Sequence, residues 1–365
     1  MSVTPALEAT SLIVNRGGRR ILDILSLQVM PGEVLVIIGP NGSGKTTLVQ
    51  CLALLLKPDS GMIAYGGNRI TSDHSALQQR RRLAVVFQEP LLLRGTVRDN
   101  VSLGLRLRRF PRHEITSRVE RWLGRFGIAG LSDRQVSTLS GGEAQRVSLA
   151  RAFALGPDVM FLDEPFAALD APTRQSLGRE LAMVLRETGT TTVMVTHDRN
   201  EALALGDRVA VLIDGQIQQS GPPQSVFSRP ANEVVAKFVG VDNIMPGTVI
   251  AQDNGIARVL LDGSITVDAV SDLAPGTPVA VCLRPEDIVI TSLEPAPTTT
   301  STRNRLRCRV TDLSPSGAQT RVGLDCGVGL IAFITSRSCQ ELGLTIGREV
   351  TASFKATAVH LIPRR

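Results

Sequence analysis

The apolar run Val34-Leu-Val-Ile-Ile38 leads directly into Gly39-Pro-Asn-Gly-Ser-Gly-Lys-Thr46, and an apolar, helix-like stretch from Leu48 to Leu56 follows. This order predicts a strand, a tight loop and a helix start. The glycines let consecutive backbone N–H groups turn inward around a polyphosphate. Lys45 adds a point charge, and the Thr46 hydroxyl is of the type that takes a place on Mg²⁺. A glycine-rich turn that binds nothing would not need the lysine and hydroxyl at its end, so a nucleoside triphosphate is the expected ligand.

At 365 residues the chain is long for one core and suits about two domains, and its 43% hydrophobic content can fill both. No apolar run approaches the roughly 18 to 20 residues that cross a bilayer. The start, Met1-Ser-Val-Thr-Pro-Ala-Leu-Glu8, lacks a basic segment followed by an apolar one, so a cytoplasmic chain is expected. Cys51, Cys282, Cys308, Cys326 and Cys339 are odd in number and lack paired spacing, which predicts reduced, mostly buried thiols without a zinc site or a disulfide framework. A net charge of +6 and arginine clusters such as Arg80-Arg-Arg82 raise nucleic acid as a partner, but aromatics are only 3% of residues and stacking platforms are scarce. A solvated helical face, near anionic lipid headgroups, accounts better for the arginines.

Residues Leu7 to Met30 alternate loosely around Asn15-Arg-Gly-Gly18, which predicts antiparallel strands. Leu91 to Ile128 read as mostly helical, punctuated by Gly104 and Pro111. Strands are expected at Leu83 to Gln88, Val159 to Leu162, Thr191 to Thr196 and Arg208 to Ile213, with helical stretches such as Arg174 to Thr188 among them. That alternation is the signature of a parallel sheet covered by helices. Beyond about Gly240 helical periodicity gives way to short β-rich runs at Pro278 to Leu283, Arg305 to Val310, Gly329 to Ile334 and Glu349 to Phe354, with a linker over Glu294–Thr302.

Val159-Met-Phe-Leu-Asp-Glu-Pro165 is an apolar run ending in two carboxylates. Alone, such a pair would read as a helix cap. Beside a phosphate loop, and with adjacent strand residues facing opposite ways, one of Asp163 and Glu164 suits a metal's water shell and the other the orientation of a water. Leu139-Ser-Gly-Gly-Glu143 opens another helix and makes a second anion-seeking terminus, or else a plain serine cap.

In chain order, Gly39–Thr47 (GPNGSGKTT), Val85-Val-Phe-Gln88, Leu139–Ala152 (LSGGEAQRVSLARA), Phe161–Pro165 (FLDEP), Ala168-Leu-Asp170 and Val195-Thr-His197-Asp198 resemble the ATPase subunits of ABC transporters over residues 5 to 240. The resemblance implies an α/β P-loop ATPase domain, residues 1–240, with a helical subdomain at about 89–135, followed by an all-β, oligomer-binding-like (TOBE) regulatory domain at 241–365. It implies ATP held by Gly39, Pro40, Asn41, Gly42, Ser43, Gly44, Lys45, Thr46 and Thr47, and Mg²⁺ held by Thr46, Gln88 and Asp163. Glu164 would polarise the attacking water, with Gln88 and His197 completing the catalytic set. Ser140, Gly141, Gly142 and Glu143 would act in trans on the nucleotide of a second copy, and Asp170 would communicate across that homodimer. Phosphoryl transfer needs mainly positioning and charge stabilisation, which this set supplies. Two permease subunits and an external binding protein are implied as partners, with the ATPase peripheral on the cytoplasmic face of the membrane and nucleic acid excluded.

Within the C-terminal part, Arg284-Pro-Glu-Asp-Ile288 resembles a segment of importer appendages. Ser301-Thr-Arg-Asn-Arg305, Ile331 to Arg337, Glu341 to Leu344 and Ser353 to Val359 resemble the small molybdate-binding β-barrel module of molybdate and tungstate importers, over about 301–362. Ser301, Arg303, Asn304, Lys355 and Thr357 supply the hydroxyls and cations a tetrahedral dianion wants, although Arg303 and Lys355 also read as surface charges. Sulfate, Fe³⁺ or polyamine import, and a soluble ABC ATPase acting on nucleic acid or ribosomes, are the alternative readings. Where family members stack an aromatic on adenine, this chain offers Arg16, whose guanidinium plane also stacks on a base. Weak base discrimination is therefore expected: in a turnover assay GTP should be hydrolysed within about a hundredfold of ATP, and a larger gap rules the idea out.

Overall fold

The run before the glycine loop folds into the strand Val34–Ile38, buried along its whole length. A strand buried on both faces belongs inside a parallel sheet covered by helices, and this one lies within a six-stranded sheet. In spatial order the strands are Gln216–Gly221, Arg208–Ile213, Val34–Ile38, Thr191–Val195, Val159–Asp163 and Leu83–Val86. All neighbours pair in parallel except the first two. Ile37 and Asp163 both pair with Val195, so three adjacent strands end level with one another. The structure, a computed structural model, describes residues 3–262, 265–293 and 301–364.

The expected hairpin is formed by Leu7–Arg16 and Arg19–Val29, turning at Gly17 and Gly18, and it joins Ser60–Tyr65 and Asn68–Arg69 in an antiparallel sheet. Leu7, Leu12, Leu22 and Ile24 share one core with Leu35, Ile37, Val193 and Val195, and Leu48, Val49 and Leu52 of the helix Lys45–Leu52 pack in the same cluster. Each such side chain contributes about 1.5 to 3 kcal/mol on burial. The glycine loop is thus clamped between a buried strand and a buried helix.

Gly104 does not end its helix. It lies inside Val97–Leu107, where a Cβ would meet Leu155 Cδ2 at 2.7 Å, so the glycine permits close packing rather than a break. Thr96 and Asp99 form a capping box at the start of that helix, and Pro111 leads into the next, Arg112–Arg125. Trp122 stacks on Phe153 of the helix Gly141–Ala154, with ring centroids 4.9 Å apart.

The compact units are Met1–Val226 and Phe227–Arg365, an earlier division than the change of composition near Gly240 predicts. Side chains explain the difference. Arg284 donates to Phe227 O, His360 Nε2 lies 2.9 Å from Pro230 O, and Arg364 pairs with Glu233 at 2.8 Å, so the segment after Val226 is fastened to the β-rich unit. That unit has two five-stranded antiparallel sheets around one core. The first is ordered Thr266–Val270, Ile256–Leu261, Asn243–Asp253, Pro278–Leu283, His360–Pro363. The second is ordered Val289–Thr291, Glu349–Phe354, Asn304–Ser316, Gln319–Asp325, Gly329–Thr335.

Two features of this unit depart from expectation. A helix, Ser336–Glu341, interrupts the β pattern because the Thr335 hydroxyl accepts from Ser338 N and starts it. Cys308 and Cys326 form a disulfide, contrary to five free thiols, because the hairpin pairing of Arg309 with Asp325 brings the two cysteines together; Cys51, Cys282 and Cys339 are free. Of the expected linker Glu294–Thr302, only Ser301 and Thr302 fall within the described residues. Among the described residues, no helix is long and apolar enough to cross a membrane.

Candidate nucleotide site

Lys45 opens its helix with its ammonium buried, donating to Gly39 O and Pro40 O, each at 2.9 Å. Burial pushes this amine below its ordinary value, and the charges of Glu164 and Asp163 oppose the shift. The loop closes tightly because glycine leaves room: a Cβ on Gly39 would lie 2.0 Å from Leu212 O, and one on Gly44, at φ 98°, would lie 2.7 Å from Leu22 Cδ2. Pro40, Asn41 and Gly42 form the exposed rim, while Ser43 is buried and its Oγ finds no partner among the described residues. A buried hydroxyl without a partner is costly, and it sits where the loop is shaped for an anion. Thr47 is half-buried within the helix start.

Across the sheet edge, Thr46 Oγ1 donates to Asp163 Oδ1 at 3.4 Å. Burial raises the Asp163 carboxyl above its ordinary value, the Thr46 bond lowers it, the Glu164 charge raises it and Lys45 lowers it. A hydroxyl and a carboxylate in contact are hard oxygen donors, and among the described residues no cluster of three or more His, Cys, Asp or Glu could hold a metal. This donor set fits Mg²⁺, an ion that takes most of its ligands from water and phosphate. Thr46 and Asp163 would hold it, and it would neutralise charge building on the phosphates. Gln88 is exposed just beyond the strand Leu83–Val86, at the same edge of the sheet.

Glu164 does not simply alternate with Asp163 as an extended strand would require. Its φ is 47°, in the left-handed region that costs a non-glycine residue about 1 to 3 kcal/mol. Its N–H still donates to Val195 O at 2.9 Å, and its Oε2 lies 3.3 Å from His197 Nδ1. The turn therefore brings together the two residues expected to handle the water and the terminal phosphate. Asp170 ends the same turn as the N-cap of the helix Ala171–Thr188, accepting from Thr173 N at 2.9 Å and Thr173 Oγ1 at 3.0 Å. These bonds hold its carboxyl below the ordinary range.

Ser140 caps the helix Gly141–Ala154 by a capping box: its Oγ accepts from Glu143 N at 3.3 Å, and its N–H donates to Glu143 Oε2 at 2.7 Å. The latter bond keeps the Glu143 carboxyl low. Gly142 packs against the Asp170 helix, since a Cβ there would stand 3.0 Å from Thr173 Cγ2. Arg16 is exposed at the end of the first hairpin strand, close enough to Cys51 for its charge to pull down a thiol that burial lifts to about 11.

In the β-rich unit, the pairing of Asn304 with Phe354 sets Ser301 and Arg303 at the same end of the sheet as Lys355 and Thr357. Asn304 itself is committed elsewhere. Its buried amide donates to Asp268 O at 2.9 Å and accepts from Asp268 N at 2.7 Å, joining the two sheets. Asn243 makes the reciprocal link, accepting from Ile331 N at 2.6 Å and donating to Ile331 O at 2.9 Å. Sequence reasoning missed this pair, and a buried asparagine in an irregular β pattern carries little signal.

Residues 22–167 match the ABC transporter family and residues 300–361 the TOBE domain. The molybdate/tungstate import ATP-binding protein WtpC of Pyrococcus horikoshii is 40% identical over 341 residues, 93% of this chain and 95% of that protein. The chain belongs to the ATP-binding subunits of ABC transporters. The sulfate/thiosulfate import ATP-binding protein CysA of Xanthomonas campestris is 41% identical over 317 residues, 85% of this chain and 90% of its own length. Among solved structures, the dimeric post-hydrolysis ATP-binding cassette MJ0796 bound to ADP and Pi matches with a TM-score of 0.55 and 29% identity, over 60% of this chain and 98% of that one.

Loop closure in this ABC subunit makes Gly39 intolerant of any side chain. Gly39→Ala should lower the melting temperature and weaken binding of a fluorescent ATP analogue at least about tenfold. Gly178→Ala, a helical position with open space around it, should be neutral or slightly stabilising. Equal behaviour of the two variants would disprove the steric account.

Proposed function

We propose that this ABC subunit hydrolyses ATP to energise uptake of molybdate or tungstate through a separate permease. The observation that carries the reading is that one continuous likeness to a molybdate/tungstate import subunit runs through both the ATPase and the TOBE residues. The subunit works as a homodimer on the cytoplasmic face of the membrane, against two permease subunits supplied by an external binding protein. The segment Glu89 to Ile128 receives the permease, and closure around ATP moves that surface as a body.

In the working site Lys45 exchanges its two loop carbonyls for oxygens of the β- and γ-phosphates. Ser140 and Gly142 of a second copy present N–H and O–H donors to the γ-phosphate from the other side. Glu164 orients a water and accepts its proton as the oxygen attacks phosphorus and the bond to ADP breaks. His197, beside Glu164, holds the γ-phosphate in that geometry. Gln88 would join Thr46 and Asp163 in holding the metal, and Asp170 reports the state of one copy to the other.

Ser301, Arg303, Lys355 and Thr357 form the favoured oxyanion surface, with Asn304 shaping the strand that carries two of them. Oxyanion bound there when the cell is replete favours one state of the dimer and brakes the cycle. The sulfate/thiosulfate relative supports a second reading with sulfate as cargo, since the ligand chemistry is the same.

Glu164→Gln should bind ATP and accumulate as a dimer on gel filtration, with turnover reduced at least about a hundredfold; substantial residual turnover would assign the base elsewhere. Equilibrium dialysis of the full chain should retain molybdate and tungstate in preference to sulfate. Preferential retention of sulfate selects the second reading, and no retention even at millimolar anion removes the brake.

A further inference from the structure

Arg174 stands at the end of the first turn of the helix Ala171–Thr188, a turn with no acidic residue. A cation there opposes the helix dipole, so its position is explained by what the side chain reaches. One Nη donates to Leu169 O at 3.0 Å, in the turn that runs from Glu164 to Asp170. The other lies 3.8 Å from Asp198 Oδ2, immediately after His197. Its Nε is buried and has no acceptor among the described residues. A guanidinium is the one side chain that bridges two separate acceptors in a fixed plane.

The loop it grips is also tied within itself. Asp198 Oδ1 accepts from Asn200 N at 2.7 Å and Glu201 N at 3.3 Å. The Thr196 hydroxyl accepts from Asp198 N at 3.0 Å and donates to the half-buried Glu201 carboxylate. His197 is therefore flanked by two anchored residues, while its own ring, more than half exposed, touches Glu164. From outside the loop, Ile37 O holds Thr196 N at 3.2 Å, and Arg174 reaches the Asp198 carboxylate.

We propose that Arg174 is a positioning residue for hydrolysis: by joining Leu169 to Asp198 it makes the placement of His197 depend on the Glu164–Asp170 turn. The proposal rests on the ATPase reading above. A shift of that turn when two copies close moves the guanidinium, and with it Asp198 and the ring beside it. Nucleotide binding, which uses the Lys45 loop, does not pass through this link.

The test uses the full chain with Mg–ATP in single-turnover hydrolysis, comparing Arg174→Ala, Arg174→Lys and His197→Ala with the double variant Arg174→Ala/His197→Ala. Arg174→Ala should slow hydrolysis at least about tenfold while ATP affinity stays within about threefold, and Arg174→Lys should recover part of the rate. In the His197→Ala background the same change should cost less than about twofold, because the residue through which it acts is gone. Independent, multiplying effects overturn the proposal, as does a loss of ATP affinity that matches the loss of rate. If Arg174→Ala does not fold, Arg174→Gln takes its place in both backgrounds. An unaltered protein that fails to hydrolyse ATP refutes the ATPase reading itself, whereas hydrolysis equally fast in the Arg174 variants refutes only the positioning role.

Discussion

The site depends on the contact between Thr46 and Asp163, made over the top of an intervening strand. Val34–Ile38 and Val159–Asp163 are not neighbours; Thr191–Val195 lies between them and pairs in register with both. Because parallel neighbours keep their ends level, the phosphate loop, the acidic pair and His197 arrive at one edge from three separate stretches of chain. Loss of register in any of the three would move one functional group by a residue's length. The burial of these strands is thus the means by which distant residues are held within hydrogen-bonding reach.

Much of this was legible before the fold. The loop Gly39–Thr46, the carboxylates after Val159 to Leu162 and the positions of the central strands along the chain follow from apolar runs and from residues with few alternative uses. What escaped was geometry that pattern does not encode. Alternation suggested opposite faces for Asp163 and Glu164, whereas the chain turns through φ 47° at Glu164. Gly104 looked like punctuation because isolated glycine usually is, and close packing against Leu155 kept it helical. Composition placed the boundary near Gly240, yet three side-chain ties draw the segment after Val226 into the second unit. The disulfide was unreadable because hairpin register, not spacing, sets Cys308 beside Cys326.

In the β-rich unit, the two buried asparagines make a reciprocal join between the sheets. Each serves both polar groups of one residue on the opposite sheet, so neither leaves a backbone donor or acceptor stranded. Replacing either would leave those groups unsatisfied, at about 1 to 3 kcal/mol each. This structural duty explains why Asn304, grouped by chemistry with the oxyanion residues, differs from Ser301 and Lys355. Its side chain faces the seam, and its influence on any anion is through the strand it secures.

The backbone at Glu164 has a further implication for how this protein tolerates change. Glycine would relax there, so the substitution most welcome to the folded chain is one that deletes the carboxylate. Screens that reward thermal resistance alone will tend to enrich such inert sequences. Heat tolerance and work output pull in opposite directions at a single peptide unit.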